Sequence, residues 1–328
     1  MPPLRGAIVG AGLMGGWHAR YASRAGGRVV AVVDSDEAAG SSLVRRYPGA
    51  RRFRDLADCL SAGEVDVVHV CTGAASHARL AETALMAGRH VIVEKPLTTS
   101  PAEAFRLSAL ARERGLLLCA VHQFPFQRGF GVLRRDLVRL GDLVSVSYEA
   151  CSAGGEGRSD EARQAILIEM LPHAVSMFRS LLGTVPDPAS WTALAFTKDD
   201  IELAGKRGAT LLAVRISLRG RPPRNELIVV GTKGTARVDL FHGYLTQEAD
   251  GTSRLDKALR PLRHASAQLL AAGLNLAGRA ARRELAYPGL RELIGAFYGS
   301  VRTQGRSPVG VEEMVEAAAL MERFLSPT

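Results

Sequence analysis

The sequence of 328 residues is long enough for two domains, and its 47% hydrophobic content is typical of a globular protein rather than a disordered one. The formal charge of +9 is concentrated in residues 254–283, which carry seven basic residues and one acid, but no nucleic-acid-binding motif accompanies them. No apolar run approaches the roughly 20 residues that span a bilayer, so we expect neither a nucleic-acid nor a membrane partner. The first residues show no secretory signal and the cysteines no paired spacing, so we expect a cytoplasmic protein.

A glycine-rich turn follows the first predicted strand. Residues 6–10 form a short apolar run, GAGLMG follows, and a helical stretch begins after it. Gly10 permits a tight turn, Gly12 lets the backbone approach a pyrophosphate, and Gly15 lets helix and strand pack closely. The helix N-terminus adds N–H donors and a positive dipole for the phosphates. The turn therefore predicts a dinucleotide site formed by Gly10, Gly12, Leu13, Met14 and Gly15.

An acid stands at the end of the second predicted strand. Asp34 follows the apolar run 28–33, 19 residues after the last glycine of the turn. An acid at this offset accepts hydrogen bonds from a ribose diol and would repel a 2′-phosphate, so we predict NAD as the cofactor. Ser35, Arg45 and Arg46 lie close by in the sequence and leave NADP as the alternative.

Predicted strands and helices continue to alternate up to residue 124. Apolar runs at 65–73, 90–96 and 116–124 predict strands, and 76–88 and 101–115 predict helices. This alternation is typical of a parallel, doubly wound α/β sheet, in which ligands bind at the carboxyl ends of the strands. The residues predicted to meet the cofactor at these ends are Thr72, Gly73, Glu94, Lys95 and His122. For His122, a structural hydrogen-bonding role is the open alternative.

The pattern of predicted strands and helices changes after about residue 122. Runs of strand-forming residues are bounded by turn residues and lack regular helices between them, which is typical of an antiparallel sheet. These runs are 143–150, 209–218, 226–231 and 235–240. Segments 287–305 and 311–325 are predicted to be amphipathic helices that return to the first domain.

The basic segment 254–286 has leucines at helical spacing, but Pro261, Gly273 and Gly278 interrupt it. We therefore expect broken helices or a long loop. Its role stays open between a cover for the active site, an oligomer face and a binding site for acidic groups, with a membrane-surface role as the least favoured alternative.

The chain resembles the glucose–fructose oxidoreductase, inositol dehydrogenase and MocA (Gfo/Idh/MocA) family of NAD(P)-dependent oxidoreductases. The resemblance is carried by GAGLMGGWHAR, CTGAASHARLAETALMAGRHVIVEKPLTTS, HQFPFQRGF and LIEMLPHAVSMFRSLLG. It implies a Rossmann domain over 1–121 and an α+β domain over 122–328, whose open, mostly antiparallel sheet serves substrate binding and oligomerisation. A homodimer or homotetramer is expected by the same analogy. His77 lies in the second matching block and is expected near the cofactor, with a capping or packing role as the alternative.

The resemblance also implies a catalytic pair. Family members carry a lysine in an EKP motif and an Asp-x-x-x-His pair on a helix of the second domain; here these positions are Lys95, Glu169 and His173. The spacing puts Glu169 and His173 on one helix face, unless Pro172 kinks the helix or starts a new one. A histidine can accept and return a proton near neutral pH, and Lys95 can stabilise negative charge on the substrate oxygen. Which of the two takes the proton stays open.

We therefore expect an NAD(P)-dependent oxidoreductase that transfers a hydride between nicotinamide and a secondary alcohol or ketone of a sugar, cyclitol or nucleotide sugar. One alternative is a redox-neutral NAD-dependent enzyme of the epimerase or glycosidase type. Another is a non-catalytic cofactor-binding sensor, because Glu169 and Ser176 stand where many family members carry aspartate. No metal site is predicted.

Overall fold

The computed structural model describes residues 2–63, 65–249, 253–284 and 286–325. The side chains of Leu255 and Asp256, which fall in the basic segment, lie outside the described part. The chain forms two compact units. The first comprises the residues up to His122 together with Leu290–Glu322, and the second comprises Gln123–Gly289 with Arg323–Leu325.

The first unit is built on a parallel sheet. Its strands are β1 (Leu4–Val9), β2 (Gly27–Val33), β3 (Arg51–Phe53), β4 (Val67–Val70), β5 (His90–Val93) and β6 (Leu118–Ala120). The strand order β3-β2-β1-β4-β5-β6, with parallel pairing throughout, confirms the predicted doubly wound Rossmann sheet. The connecting helices are α1 (Leu13–Arg24), α2 (Glu37–Val44), α3 (Leu56–Ala62), α4 (His77–Met86) and α5 (Pro101–Glu113).

The strands of this sheet end earlier than the predicted apolar runs. Strand β4 ends at Val70 and β5 at Val93, so the polar residues that follow them lie in loops rather than in strands. Strands β4, β5 and β6 are neighbours in the sheet, and parallel strands present their carboxyl ends at one edge. The loops after these strands are therefore neighbours too.

The second unit is built on a seven-stranded, mostly antiparallel sheet, as predicted. Its strands are β7 (Leu143–Cys151), β8 (Thr192–Phe196), β9 (Asp200–Arg207), β10 (Thr210–Ser217), β11 (Arg224–Gly231), β12 (Gly234–Asp239) and β13 (Tyr244–Ala249). The order is β13-β12-β11-β7-β10-β9-β8; β10 and β7 pair in parallel and the other neighbours are antiparallel. Its helices are α6 (Arg128–Asp136), α7 (Asp160–Ile168), α8 (Leu171–Leu182) and α9 (Arg254–Ala281).

The basic segment forms one helix, so the expectation of broken helices or a long loop is wrong. Helix α9 continues through Pro261, although an interior proline costs about 3 kcal/mol. The segment is rich in alanine, leucine and arginine, which favour helix. Side chains also hold it to the sheet: Arg260 Nε and His264 Nδ1 lie 2.8 Å and 2.6 Å from carboxylate oxygens of Glu248 on β13.

Helices α7 and α8 form a largely buried stretch in the second unit. Among the described residues, Asp160–Leu182 is the one helical stretch with the length and composition of a membrane span, and 56% of its apolar window is buried. Burial of that extent is typical of a helix in a protein core. Two further helices, α10 (Leu290–Thr303) and α11 (Val311–Leu325), follow α9 in the chain, and α10 packs against α1 in the first unit.

Candidate functional site

The turn between β1 and α1 has a closed side and an open side. Gly10 has a φ of +95°, and a Cβ added to it would lie 2.7 Å from the carbonyl oxygen of Cys71. A Cβ on Gly15 would collide with the carbonyl oxygen of Gly10. A Cβ on Gly12, in contrast, would meet no described atom within 4 Å. The turn is thus tightly packed beneath while its backbone at Gly12 is open to a ligand.

The N-terminus of α1 suits an anion. Gly12 is its N-cap and offers no side chain to the first N–H groups, and the first turn holds no acid. A cavity of about 340 Å³ adjoins this turn, and its lining includes Gly12, Leu13, Arg20 and Arg46. The open backbone, the uncapped helix end and the two arginines fit the pyrophosphate of a dinucleotide.

Asp34 is fixed beside the same turn. Its Oδ2 accepts a 2.6 Å hydrogen bond from the N–H of Ala11, and its Oδ1 accepts one of 2.8 Å from the N–H of Asp36. The carboxylate therefore stands at the carboxyl end of β2, next to the glycine turn, where a ribose diol is predicted. Arg46 lines the adjoining cavity, which is the feature that keeps the NADP alternative open.

His77 ties together the loops that follow β4 and β5. Its Nδ1 lies 2.7 Å from the carbonyl oxygen of Pro96, and its Nε2 lies 2.9 Å from that of Thr72. A neutral imidazole carries one N–H and can donate only one of these hydrogen bonds, whereas the doubly protonated ring donates both. Because both nitrogens are used inside the protein, the contacts support the packing alternative for His77.

The loop after β4 is held by hydrogen bonds among its own residues and has open space beside Gly73. The hydroxyl of Ser76 lies 2.6 Å from that of Thr72 and donates to the carbonyl oxygen of Gly73. A Cβ on Gly73 would meet no atom of the described residues within 4 Å. The predicted cofactor-binding pair Thr72 and Gly73 thus forms a braced loop with space in front of it.

Lys95 follows β5 and is half-buried. Its peptide bond to Pro96 is cis. The backbone N–H of Lys95 donates to Oε2 of Glu94 at 3.2 Å. Glu94 itself is buried and turns its carboxylate into the first unit, so its contacts indicate a positioning role beside Lys95 rather than direct cofactor binding.

A line of buried polar side chains continues from Glu94. His18 Nε2 lies 3.1 Å from Glu94 Oε1, His18 Nδ1 lies 3.0 Å from His69 Nδ1, and the hydroxyl of Tyr298 lies 2.8 Å from His69 Nε2. Tyr298 comes from α10, and glycines make room for its ring: a Cβ on Gly27 would lie 2.5 Å from it. Residues far apart in the sequence thus meet beneath the loop that carries Lys95.

Burial and neighbouring groups determine the charge states of Glu94 and His69 in this line. Burial favours a raised pKa for Glu94, but the hydrogen bond from His18 and the positive charge of Lys95 bring the pKa below its usual value. Burial, helped by the neighbouring His18, holds the pKa of His69 well below its usual value, so its ring is neutral. The line therefore keeps a carboxylate next to Lys95.

The sequence patterns did not single out His69 or Tyr298. One signal was available: His69 interrupts strand β4, whose residues are all buried, and a buried polar side chain requires a hydrogen-bond partner. No comparable signal marks Tyr298, because its role depends on α10 returning to the first unit.

His122 is buried at the end of the first unit. Its Nδ1 lies 2.6 Å from Oε1 of Glu313 on α11. The contact supports the structural alternative for this ring nitrogen, while the other nitrogen retains its capacity to donate or accept.

The predicted helix face of Glu169 and His173 is replaced by a helix junction. Glu169 is the C-cap of α7, and α8 begins at Leu171 with Pro172 in its first turn. Proline has no N–H for the preceding turn but is tolerated at a helix start. Of the two alternatives, the structure shows the helix start, so Glu169 and His173 lie on different helices.

His173 is held by its surroundings in the second unit. It is 7% exposed, and its ring stacks on Phe124 with centroids 4.3 Å apart. The hydroxyl of Ser176 donates to the backbone carbonyl of His173 at 2.9 Å. Lys95 and His173, the two predicted catalytic residues, belong to different units.

Known proteins match the first unit through a family model and most of the chain through individual relatives. Residues 4–122 match the family described as "Oxidoreductase family, NAD-binding Rossmann fold". D-Apiose dehydrogenase of Paraburkholderia graminis is 28% identical over 284 residues, covering 80% of this chain and 74% of the relative. Inositol 2-dehydrogenase 2 of Mycolicibacterium vanbaalenii is 28% identical over 267 residues, covering 77% of each chain.

Solved structures share the fold over nearly the whole chain. The WlbA dehydrogenase of Bordetella pertussis, solved with NADH and UDP-GlcNAcA, superposes with a TM-score of 0.75 over 98% of this chain and 94% of its own, at 18% identity. At that identity the likeness concerns the fold alone.

Proposed function

Because this chain belongs to the Gfo/Idh/MocA family of NAD-binding oxidoreductases, we propose that it transfers a hydride between NAD and a secondary alcohol or ketone of a sugar, cyclitol or nucleotide sugar. The single observation that carries the proposal is the combination, within one Rossmann sheet, of an open glycine turn, Asp34 fixed beside it and Lys95 directly after β5. The named relatives act on D-apiose and inositol, which supports the substrate class.

The residues of the first unit would hold the cofactor. The backbone at Gly12 and the N-terminus of α1 would bind its pyrophosphate, and Asp34 would accept hydrogen bonds from the adenosine ribose. Bound NAD supplies the hydride acceptor or donor. The negative charge of Asp34 opposes a 2′-phosphate, so NAD is the proposed physiological cofactor rather than NADP.

Lys95 and His173 would handle the substrate oxygen. The ammonium group of Lys95 is a compact donor that stabilises negative charge developing on that oxygen. Glu94, held by His18, fixes the backbone of Lys95. His173, oriented by its stack on Phe124, can accept the alcohol proton or return it. On oxidation, the proton of the alcohol passes to a neutral His173 while Lys95 stays an ammonium, or to Lys95 if that side chain is the uncharged amine beforehand.

The test of the reaction is a substrate panel. Purified protein with NAD⁺ is incubated with D-apiose, myo-inositol and UDP-sugars, and NADH formation is followed by absorbance. Continuous NADH formation with one of these classes is expected. Turnover of substrate without net NADH would replace the proposal with the redox-neutral alternative. Cofactor binding without turnover of any of these classes would replace it with the sensor alternative.

We also propose a cytoplasmic homodimer or homotetramer assembled through the sheet of the second unit. The strand-rich second unit and the resemblance to the family support it. Size-exclusion chromatography with light scattering tests it, and a monomer at micromolar concentration would contradict it.

A further inference from the structure

Helix α9 exposes a set of leucines, which we call the leucine face. Three of them, Leu262, Leu269 and Leu276, are seven residues apart and 66%, 77% and 69% exposed. Leu259, Leu270 and Leu274 are exposed beside them. Isolated exposed leucines are ordinary, but a contiguous apolar surface marks an interaction site.

The opposite side of α9 holds it to the body of the second unit. Arg260 and His264 contact Glu248 on β13, and Asn275 Nδ2 donates to the carbonyl oxygen of His242 at 2.9 Å. With about 100° between successive residues of a helix, these contacts lie across the axis from Leu262, Leu269 and Leu276. The leucine face therefore points away from the sheet to which the helix is attached.

Arginines lie at and within the leucine face. Residues 254–283 carry seven basic residues and one acid. With about 100° between successive residues, the exposed Arg254 lies at one edge of the leucine face. The exposed Arg263 lies within the face, between Leu270 and Leu274, whereas Lys257 lies on the attached side. The surface thus combines exposed leucines with one arginine at its edge and one within it.

We propose that α9 docks the second unit on an anionic phospholipid surface. A helix with arginine and lysine on its polar side and leucine on the other lies in the membrane interface, its basic groups at the headgroups and its leucines at the acyl boundary. The 28-residue helix would lie along the surface for about 42 Å. The charged residues of α9 exclude an orientation in which the helix spans the bilayer. A helix that lies in the interface does not need the long apolar run that a spanning helix requires.

A second copy of the chain fits this surface less well. Pairing of two leucine faces would bring the exposed Arg254 and Arg263 of both copies onto one surface, whereas anionic headgroups complement their charge. The leucines also spread over about 160° of the helix circumference, which is wider than the narrow seam of a coiled-coil pair. Charge and width therefore both favour a lipid surface.

Vesicle sedimentation of the full-length protein tests the proposal. The vesicles are phosphatidylcholine alone, or equal parts phosphatidylcholine and phosphatidylglycerol. We expect the protein to sediment with the anionic vesicles, to stay in solution with the neutral ones, and to be released as salt is raised. This response needs no variant and so does not depend on how a substitution folds. Equal binding to both vesicles, or to neither, would overturn the proposal.

A matched pair of variants locates the surface. Leu269→Glu should weaken binding to anionic vesicles by at least about 10-fold, because it places a carboxylate in the apolar face. Phe105→Glu alters an exposed apolar residue on α5, outside the sheet proposed to assemble the oligomer, and should leave binding unchanged. If Leu269→Glu leaves vesicle binding intact, the lipid proposal is wrong. If the parent protein does not bind vesicles and Leu269→Glu abolishes its self-association, the lipid proposal is also wrong, and a second copy of the chain occupies the leucine face.

Discussion

At the scale of single residues, the carboxylate of Glu94 links Lys95 to a buried line of side chains that ends at Tyr298. Tyr298→Phe keeps the ring but removes the hydroxyl 2.8 Å from His69 Nε2. Leaving that buried nitrogen unpartnered should lower the free energy of unfolding by about 1–3 kcal/mol. Tyr47→Phe, at a half-buried tyrosine, is the control and should cost less. Equal losses in urea denaturation would contradict a specific role for the Tyr298 hydroxyl.

His69 also predicts a pH dependence of stability. Burial holds its folded-state pKa well below that of the unfolded chain, so below about pH 6.5 the unfolded state binds a proton that the folded state does not. Stability should be full above that pH and fall as pH decreases, by up to about 1.4 kcal/mol per pH unit. In urea melts from pH 7 to pH 5, His69→Asn should show a shallower slope than the parent protein. Parallel slopes would show that His69 does not titrate on unfolding.

Asp34 predicts the cofactor preference. Asp34→Ser removes both the ribose acceptor and the negative charge, so NADH should bind more weakly and NADPH more tightly, shifting the affinity ratio by roughly 10-fold or more. Fluorescence titration of the parent protein and of Asp34→Ser with NADH and with NADPH measures this ratio of affinities. The assignment fails if the parent protein binds NADPH at least as tightly as NADH.

At the scale of elements, the β1–α1 turn predicts opposite effects at adjacent glycines. Gly15→Ala places a Cβ against the carbonyl oxygen of Gly10, where backbone cannot easily move, and should destabilise by several kcal/mol. Among the described atoms outside the backbone of its own helix, a Cβ in Gly16→Ala approaches only the guanidinium of Arg46, at 3.7 Å, so this variant should stabilise α1 by up to about 1 kcal/mol. Thermal unfolding without cofactor gives both values. Similar losses in the two variants would contradict the close packing at Gly15.

The same elements show how far the sequence could predict this molecule. The glycine turn, the parallel strands and the strand-rich second unit follow from local patterns, because periodicity and turn residues act over a few positions. The contact between His69 and Tyr298 joins residues far apart in the chain and depends on how α10 packs. Helix α9 differs from the prediction because Pro261 is visible in the local sequence, whereas the contacts of Arg260 and His264 with Glu248 on β13 form only in the folded protein.

At the scale of the whole molecule, the proposed catalytic pair is divided between two units. The proposed cofactor-binding residues and Lys95 belong to the unit that matches the family, whereas His173 and the strand-rich sheet belong to the other. Similarity to solved structures extends over 98% of the chain, but at 18% identity it concerns the fold. The substrate class consequently rests on the sequence relatives and on chemistry, and the catalytic pair requires a direct test.

That test is the rate of hydride transfer in a single turnover of the parent protein, Lys95→Met and His173→Asn, with NADH affinity measured in parallel. Each substitution should slow transfer by at least about 100-fold, because each removes a group that stabilises charge or moves the proton. NADH affinity should change by less than about threefold, since neither group is proposed to bind the pyrophosphate or the adenosine ribose. Transfer at the parental rate in both variants, with the substrate found in the panel, would contradict the proposed mechanism.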